Sequence, residues 1–191
     1  FRSGKGTLLL ASLFFYGFWN INYLPLILGS IIVNFWLTGR MLKIPIEKRK
    51  ALLIFGLFFN LGLLGYFKYM DFFITNFNQI AGQDLNLFHL MLPLGISFFS
   101  LQQITFVVDT YEGLTEERDF LNYALFVSFF PQLIAGPIVH HKEILPLFDN
   151  EENRFFDPKN FSLGIFILAI GLFKKVFIAD SLSRMVSNGF D

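Results

Sequence analysis

The 191-residue chain has no cysteine, so disulfide frameworks, thiolate metal sites and cysteine nucleophiles are excluded. It is also poor in charge: 16% of its residues are Asp, Glu, Lys or Arg, against about 25% in an ordinary soluble domain. The 15 basic and 15 acidic residues cancel, leaving no global positive field to hold nucleic acid. No P-loop, G-x-S-x-G, H-E-x-x-H or dinucleotide fingerprint occurs. No short apolar region with an Ala-x-Ala cleavage site lies near the start, so no secretory signal peptide is read there. Repeats of fixed period and low-complexity linkers are missing as well.

What remains is apolar. Hydrophobic residues make up 54% of the chain and phenylalanine alone fills 28 positions, with a mean hydropathy of +0.55. Such a chain is best solvated by lipid, and the expected class is an all-α, polytopic membrane bundle. The opening Phe1-Arg2-Ser3 and the stop at Asp191, directly after an apolar segment, read as cut ends. The expectation is one partial membrane domain over residues 1–191.

A membrane-crossing helix needs about 20 mostly apolar residues. Thr7–Leu37 is too long for one upright helix and too short for two full spans, and Asn20-Ile21-Asn22 and Pro25 interrupt it. Two broken or re-entrant helices, or one tilted and kinked helix, fit it. Ala51–Phe67 reads as a short span holding one amide, Asn60, and closed by Lys68. Asp71–Asp84 reads as an interfacial helix or loop. Leu87–Val108 and Phe120–Val139 form the third and fourth apolar stretches, each broken by Pro and Gly. A fifth begins at Asp157-Pro158, an N-cap followed by Pro at the first helical position, and continues past Lys174-Lys175 to Ala179. Lys142–Asn160 reads as a polar surface segment.

The charges are segregated. Arg40–Lys50 carries a net +4 and Asp109–Asp119 a net −4. The positive-inside bias places the first of these loops in the cytoplasm; acids orient weakly, so the side of the second stays open.

Irregular backbone at membrane depth survives only where protein or a water-filled cavity surrounds it. Leu92–Phe99, leading into Gln102-Gln103, and Phe129–Pro137 are two such places. Ser97, Gln102, Gln103 and Gln132 are therefore candidate linings of a polar tunnel or substrate pocket. Helix kinking with interhelical hydrogen bonds by Gln explains the same residues without a cavity. Adjacent His140 and His141 project about 100° apart on a helix and lack a third ligand, so no metal site is expected. His89 reads as interfacial and Asp109 as a solvated helix end. Lys174-Lys175 is expected to snorkel to headgroups, with an anionic substrate or lipid as the alternative contact. The sequon Asn160-Phe161-Ser162 opens an apolar helix and is discounted.

Five strings carry a resemblance. They are Leu10–Gly17, Leu64–Tyr69, Leu92–Phe99, Ser128–Ile138 and Lys174–Asp180. In this order they resemble the amino-terminal half of the membrane-bound O-acyltransferase (MBOAT) family, most closely its alginate O-acetyltransferase (AlgI-like) branch. The branch acting in D-alanylation of teichoic acids is a near relative. The resemblance implies a multi-helix membrane fold with funnels from both faces. It implies transfer of an acyl group, acetyl in this branch, from an acyl-thioester donor to hydroxyls of an exported polysaccharide such as alginate. It further implies a bacterial inner (cytoplasmic) membrane, helper proteins in the membrane or periplasm, and no bound cofactor. The family's catalytic His is expected beyond Asp191, and a further helix before Phe1. Neither His140 nor His141 matches the catalytic position. A transporter or channel, for which broken helices are equally natural, is the competing reading; a docking scaffold is a third.

Overall fold

The computed structural model describes residues 2–133, 136, 141–150 and 155–183. Every regular element among them is helical. They fall into two compact units, Phe1–Asp149 and Asn150–Asp191.

In the first unit, α1 (Arg2–Trp19) and α2 (Leu24–Met41) divide the long first apolar stretch into two helices. Asn20 makes the break. Its backbone is extended and its side chain accepts a hydrogen bond from the Asn22 amide, capping a single 3₁₀ turn, Ile21–Tyr23. Pro25 then sits in the first turn of α2, where its missing N–H costs nothing.

The next helix departs from expectation. α3 (Lys50–Leu64) does not stop at Lys68; it passes through a π turn, Gly65–Tyr69, into α4 (Met70–Ala81). The continuous stretch is 32 residues, about 48 Å at about 1.5 Å per residue. A lone lysine does not interrupt backbone hydrogen bonding. Lys68 instead points its ammonium at Ser97, 3.4 Å away, and packs it over the Tyr69 ring. The stop comes at Gly82, whose φ of +62° supplies the left-handed cap.

The third apolar stretch is helical only in its second part. Residues 84–93 run without helix, strapped to α4 by two side chains. The Asp71 carboxylate accepts the amides of Phe88 and His89, and Asn78 makes a pair of bonds with the Leu85 backbone. α5 (Ile96–Tyr111) begins only after Pro93 and Gly95. Gly95 has φ +64°, and a Cβ there would lie 2.9 Å from the Leu133 carbonyl. Glycine is required on both counts.

α6 (Phe120–Ser128) is capped by the Asp119 side chain. Phe129 turns the chain out of helix, and α7 (Phe130–Leu133) restarts it for one turn. The segment expected as polar surface after Lys142 contains α8 (His141–Asp149), whose Leu145 enters the core.

The core of this unit is aromatic and lies among α1, α2, α5 and α6: Tyr16, Ile27, Ile31, Phe99, Phe106, Tyr123 and Phe126 are all buried in it. The rings of Phe106 and Tyr123 lie 4.6 Å apart. α3 closes on α2 and α5 through Gly56, where a Cβ would come within 2.6 Å of Leu37 and 3.0 Å of Val107. Close approach through a small residue is the usual device of helix packing in lipid.

Contacts at helix ends settle the sidedness of this unit. Arg2 reaches Asp119 and Lys5 donates to Asn122, so the start of α1 lies beside the start of α6. The rings of Phe35 and Phe120 meet at 5.2 Å, placing the end of α2 there too. Arg49 donates to the Thr110 carbonyl at 3.0 Å, joining the basic loop to the end of α5. Both charged loops therefore share one face, which loop charge alone left open.

The second unit contains α9 (Pro158–Phe173), capped by Asp157 with Pro158 at the first position as the sequence predicts. It continues through a π turn, Lys174–Ala179, to give an apolar helix of 26 residues, Pro158–Ser183. Ile21–Met41, Lys50–Ala81 and Pro158–Ser183 are each long and apolar enough to cross a membrane.

Candidate functional site

Polar side chains buried within apolar helices gather in three places in the first unit. The most extensive joins α2, α3 and α5. Asn34 and Asn60 face each other as a reciprocal amide pair, at 3.1 and 2.7 Å. Asn34 also donates to the Gln103 side-chain carbonyl, and Gln103 donates to the Ser30 hydroxyl at 3.1 Å. The Tyr123 hydroxyl of α6 reaches the same Gln103 oxygen. Asn60 closes the set by donating to the Gly56 carbonyl. Every member is buried. An unpaired amide in an apolar interior is costly, so polar groups inserted into three helices hold those helices in one register.

Gln103, a tunnel-lining candidate from sequence, is thus spent on packing. Its neighbour Gln102 points about 100° away around the helix. It is 3% exposed, and its Oε1 has no hydrogen-bond partner among the described residues. Among the described residues the buried hydroxyls of Tyr16 and Ser100 also lack a partner. Ser97 is half-buried at the other end of α5, in reach of Lys68. Gln132 is buried in α7. A Cβ at Gly136 would lie 2.6 Å from the Gln132 side chain, so the glycine lets the chain close over that glutamine.

The two broken strings meet. Gly95, just before α5, lies against the backbone and side chain of Leu133 in α7. That contact brings the Pro93–Ser97 turn to the Phe129–Leu133 turn. Gln103, two helical turns further along α5, belongs to a different neighbourhood.

The third place is a histidine–carboxylate pair. His141 Nδ1 lies 3.3 Å from Asp109 Oδ2, with side chains 3% and 13% exposed. Phe106 and Phe126 stand edge-on to the imidazole. Asp109 is accordingly not the solvated helix end that the sequence implied: α8 folds over it. His140 lies outside the described residues. No group of three or more His, Asp or Glu placed to hold a metal occurs among the described residues. His89 is exposed, with φ +48°, and its amide is fixed by Asp71.

Asn34, Ser30 and the Asp109–His141 pair were missed by sequence reasoning. A polar residue in each of two separate apolar runs, Asn34 and Asn60, was the available signal. The partner of Asp109 had none, since 32 residues separate it from His141.

Residues 114–191 match the family described as MBOAT, membrane-bound O-acyltransferase family. The chain is 48% identical to a peptidoglycan O-acetyltransferase of Helicobacter pylori, over 98% of this chain and 40% of that protein. It is 35% identical to a probable alginate O-acetylase AlgI of Pseudomonas aeruginosa, over 96% of this chain and 36% of that one. The corresponding protein of Pseudomonas putida is 34% identical over 96% and 39%. The chain therefore spans about two fifths of the length of the curated relatives it matches. No solved structure matches it.

Proposed function

We propose that this chain belongs to the membrane-bound O-acyltransferase family and is part of an enzyme that acetylates hydroxyls of an extracytoplasmic glycan. The observation that carries this reading is likeness along 96–98% of the chain to proteins named as O-acetyltransferases. The higher identity, 48% against 35%, favours peptidoglycan over alginate as the acceptor. An acyl thioester is the donor class, helper proteins deliver or receive the acetyl group, and the enzyme resides in a bacterial inner membrane. The transporter reading gains no support from these relatives.

Acetyl transfer to a sugar hydroxyl needs a base at that hydroxyl, hydrogen-bond donors for the developing oxyanion, and exclusion of water. The base is the family histidine expected beyond Asp191. What these residues contribute is a rigid, dry wall. The Asn34–Asn60–Gln103 network fixes three helices, and the Gly95–Leu133 contact holds two irregular turns together. Ser97 and Gln132, at those turns, and Gln102, further along α5, are the polar groups that face the acyl donor or acceptor in this reading.

Base-labile acetate released from purified peptidoglycan tests the function. Cells lacking the full-length protein lose that acetate, and its re-expression restores it. Unchanged acetate on peptidoglycan and on any exported polysaccharide overturns the proposal. Within it, Gln102→Leu in the full-length enzyme lowers transfer at least about tenfold, the scale of losing one preorganised polar group. Unchanged transfer would remove Gln102 from the site.

A further inference from the structure

An open cleft of about 650 Å³ lies on the outer side of α2 and the start of α6. It is apolar at one end and cationic at the other. Ile32 and Trp36 are 56% and 55% exposed along it, and Phe120 is also exposed. Arg40, Lys43 and Arg118 line the opposite end together with Glu117.

The cations are uncommitted. Arg40 stacks over the Trp36 ring at 5.0 Å, yet none of the three forms an ion pair among the described residues. The acid in the cleft's lining, Glu117, is engaged locally: it accepts the Asp119 amide at 2.7 Å and the Asn122 side chain at 3.3 Å. Three cations against one carboxylate leave the cleft with a net positive charge, although the chain as a whole is neutral.

Depth sorts the two ends. The basic loop after α2 faces the cytoplasm by the positive-inside bias. Ile32 lies about 12 Å below Arg40 along the helix, within one leaflet of a roughly 30 Å hydrocarbon core. Trp36 sits between them, with its ring under the guanidinium. An amphiphile seated here would place a phosphate among Arg40, Lys43 and Arg118, and an acyl chain along Ile32, Trp36 and Phe120. Cations at headgroup depth attract anionic lipid, and arginine matches phosphate with paired donors.

We propose that this cleft is a binding site for one anionic glycerophospholipid of the cytoplasmic leaflet. The site is separate from the buried amide network and does not depend on the acyltransferase reading. A bound lipid would fix the α5–α6 loop, which carries Arg118, against the end of α2.

Brominated phospholipids test it, because bromine quenches a tryptophan it touches. The full-length protein is reconstituted in vesicles of phosphatidylcholine containing a small fraction of brominated phosphatidylglycerol or, separately, brominated phosphatidylcholine. The Trp36 signal is the difference between the wild type and Trp36→Phe. Phosphatidylglycerol is expected to quench it several-fold more strongly than phosphatidylcholine at equal mole fraction. Neutralising the cations one by one, as Arg40→Gln, Lys43→Gln and Arg118→Gln, lowers that preference by up to about fivefold each. Arg118→Lys, which keeps the charge, retains most of it. Equal quenching by the two lipids overturns the proposal, as does a preference that survives all three neutralisations. So does the absence of quenching by either lipid, which would mean that another part of the full-length protein covers the cleft. Loss of the preference on adding coenzyme A would assign the phosphate site to a soluble ligand and overturn the lipid assignment.

Discussion

Two long apolar helices of this chain solve the same solvent problem in opposite ways. Among the described residues, Ile21–Met41 has a third of its most apolar window buried; Pro158–Ser183 has none. The buried helix is the less apolar of the two. Its inward face carries Ser30, Asn34 and Thr38, each hydrogen-bonded back to the preceding turn, and Ser30 and Asn34 also bond across to other helices. α9 carries almost nothing polar between Gly164 and Phe173. Polar residues inside a span therefore mark its protein-facing side, because lipid offers an amide no partner.

The sharpest way to break that contrast is to put a polar group where no partner waits. Ile170→Asp, near the middle of the α9 span, is expected to cost about 3 kcal/mol of insertion free energy. A glycosylation-mapping insertion assay would report it, and unimpaired insertion would mean that this helix face has a polar neighbour. Asn34→Leu is the inverse experiment. It removes the shared partner of Asn60 and Gln103, and about 2 kcal/mol of stability should go with it. Thermal unfolding of the full-length protein in detergent measures this. An Asn34→Leu, Asn60→Leu, Gln103→Leu triple variant should recover part of the loss, since no amide is then stranded.

Gly95→Ala tests the junction of the two broken strings. A Cβ at φ +64° pressed against the Leu133 carbonyl is expected to cost about 1–2 kcal/mol, seen in the same unfolding measurement. A smaller loss would show that α7 yields easily. The weakest effect belongs to the exposed Lys175–Asp180 pair, which spans the π turn after α9. Lys175→Ala should leave the unfolding temperature unchanged, because exposed ion pairs contribute little.

Much of the helix map was legible. Asp157-Pro158 starts α9 because an N-cap oxygen and a preset φ favour that start in any context. Asn20 breaks the first run because its side chain competes for a nearby backbone amide. The misreadings have equally local causes. Lys68 looked like a terminus, but charge near an interface does not open a helix; Gly82 does so through its positive φ. Leu87–Val108 looked like one apolar span, yet Pro93 and Gly95 confine the helix to its second part. The preceding segment is held by Asp71 and Asn78, whose partners lie seven to eighteen residues away. The candidate site was half legible. Amides inside apolar runs were visible, but their destinations were not.

The sequence by itself determined that this chain is helical and lipid-solvated. It also determined where most helices begin, because composition, capping residues and Pro or Gly breaks act within a few positions. Only the tertiary structure decided which polar side chains are spent on packing. Gln102 and Gln103 are the same residue type in the same helix, and one closes a four-helix hydrogen-bond network while the other leaves an oxygen unpaired. Nothing local distinguishes them. The 100° between neighbours on a helix points one at Asn34 and Ser30 and the other elsewhere, and what stands in each direction depends on residues distant in the chain.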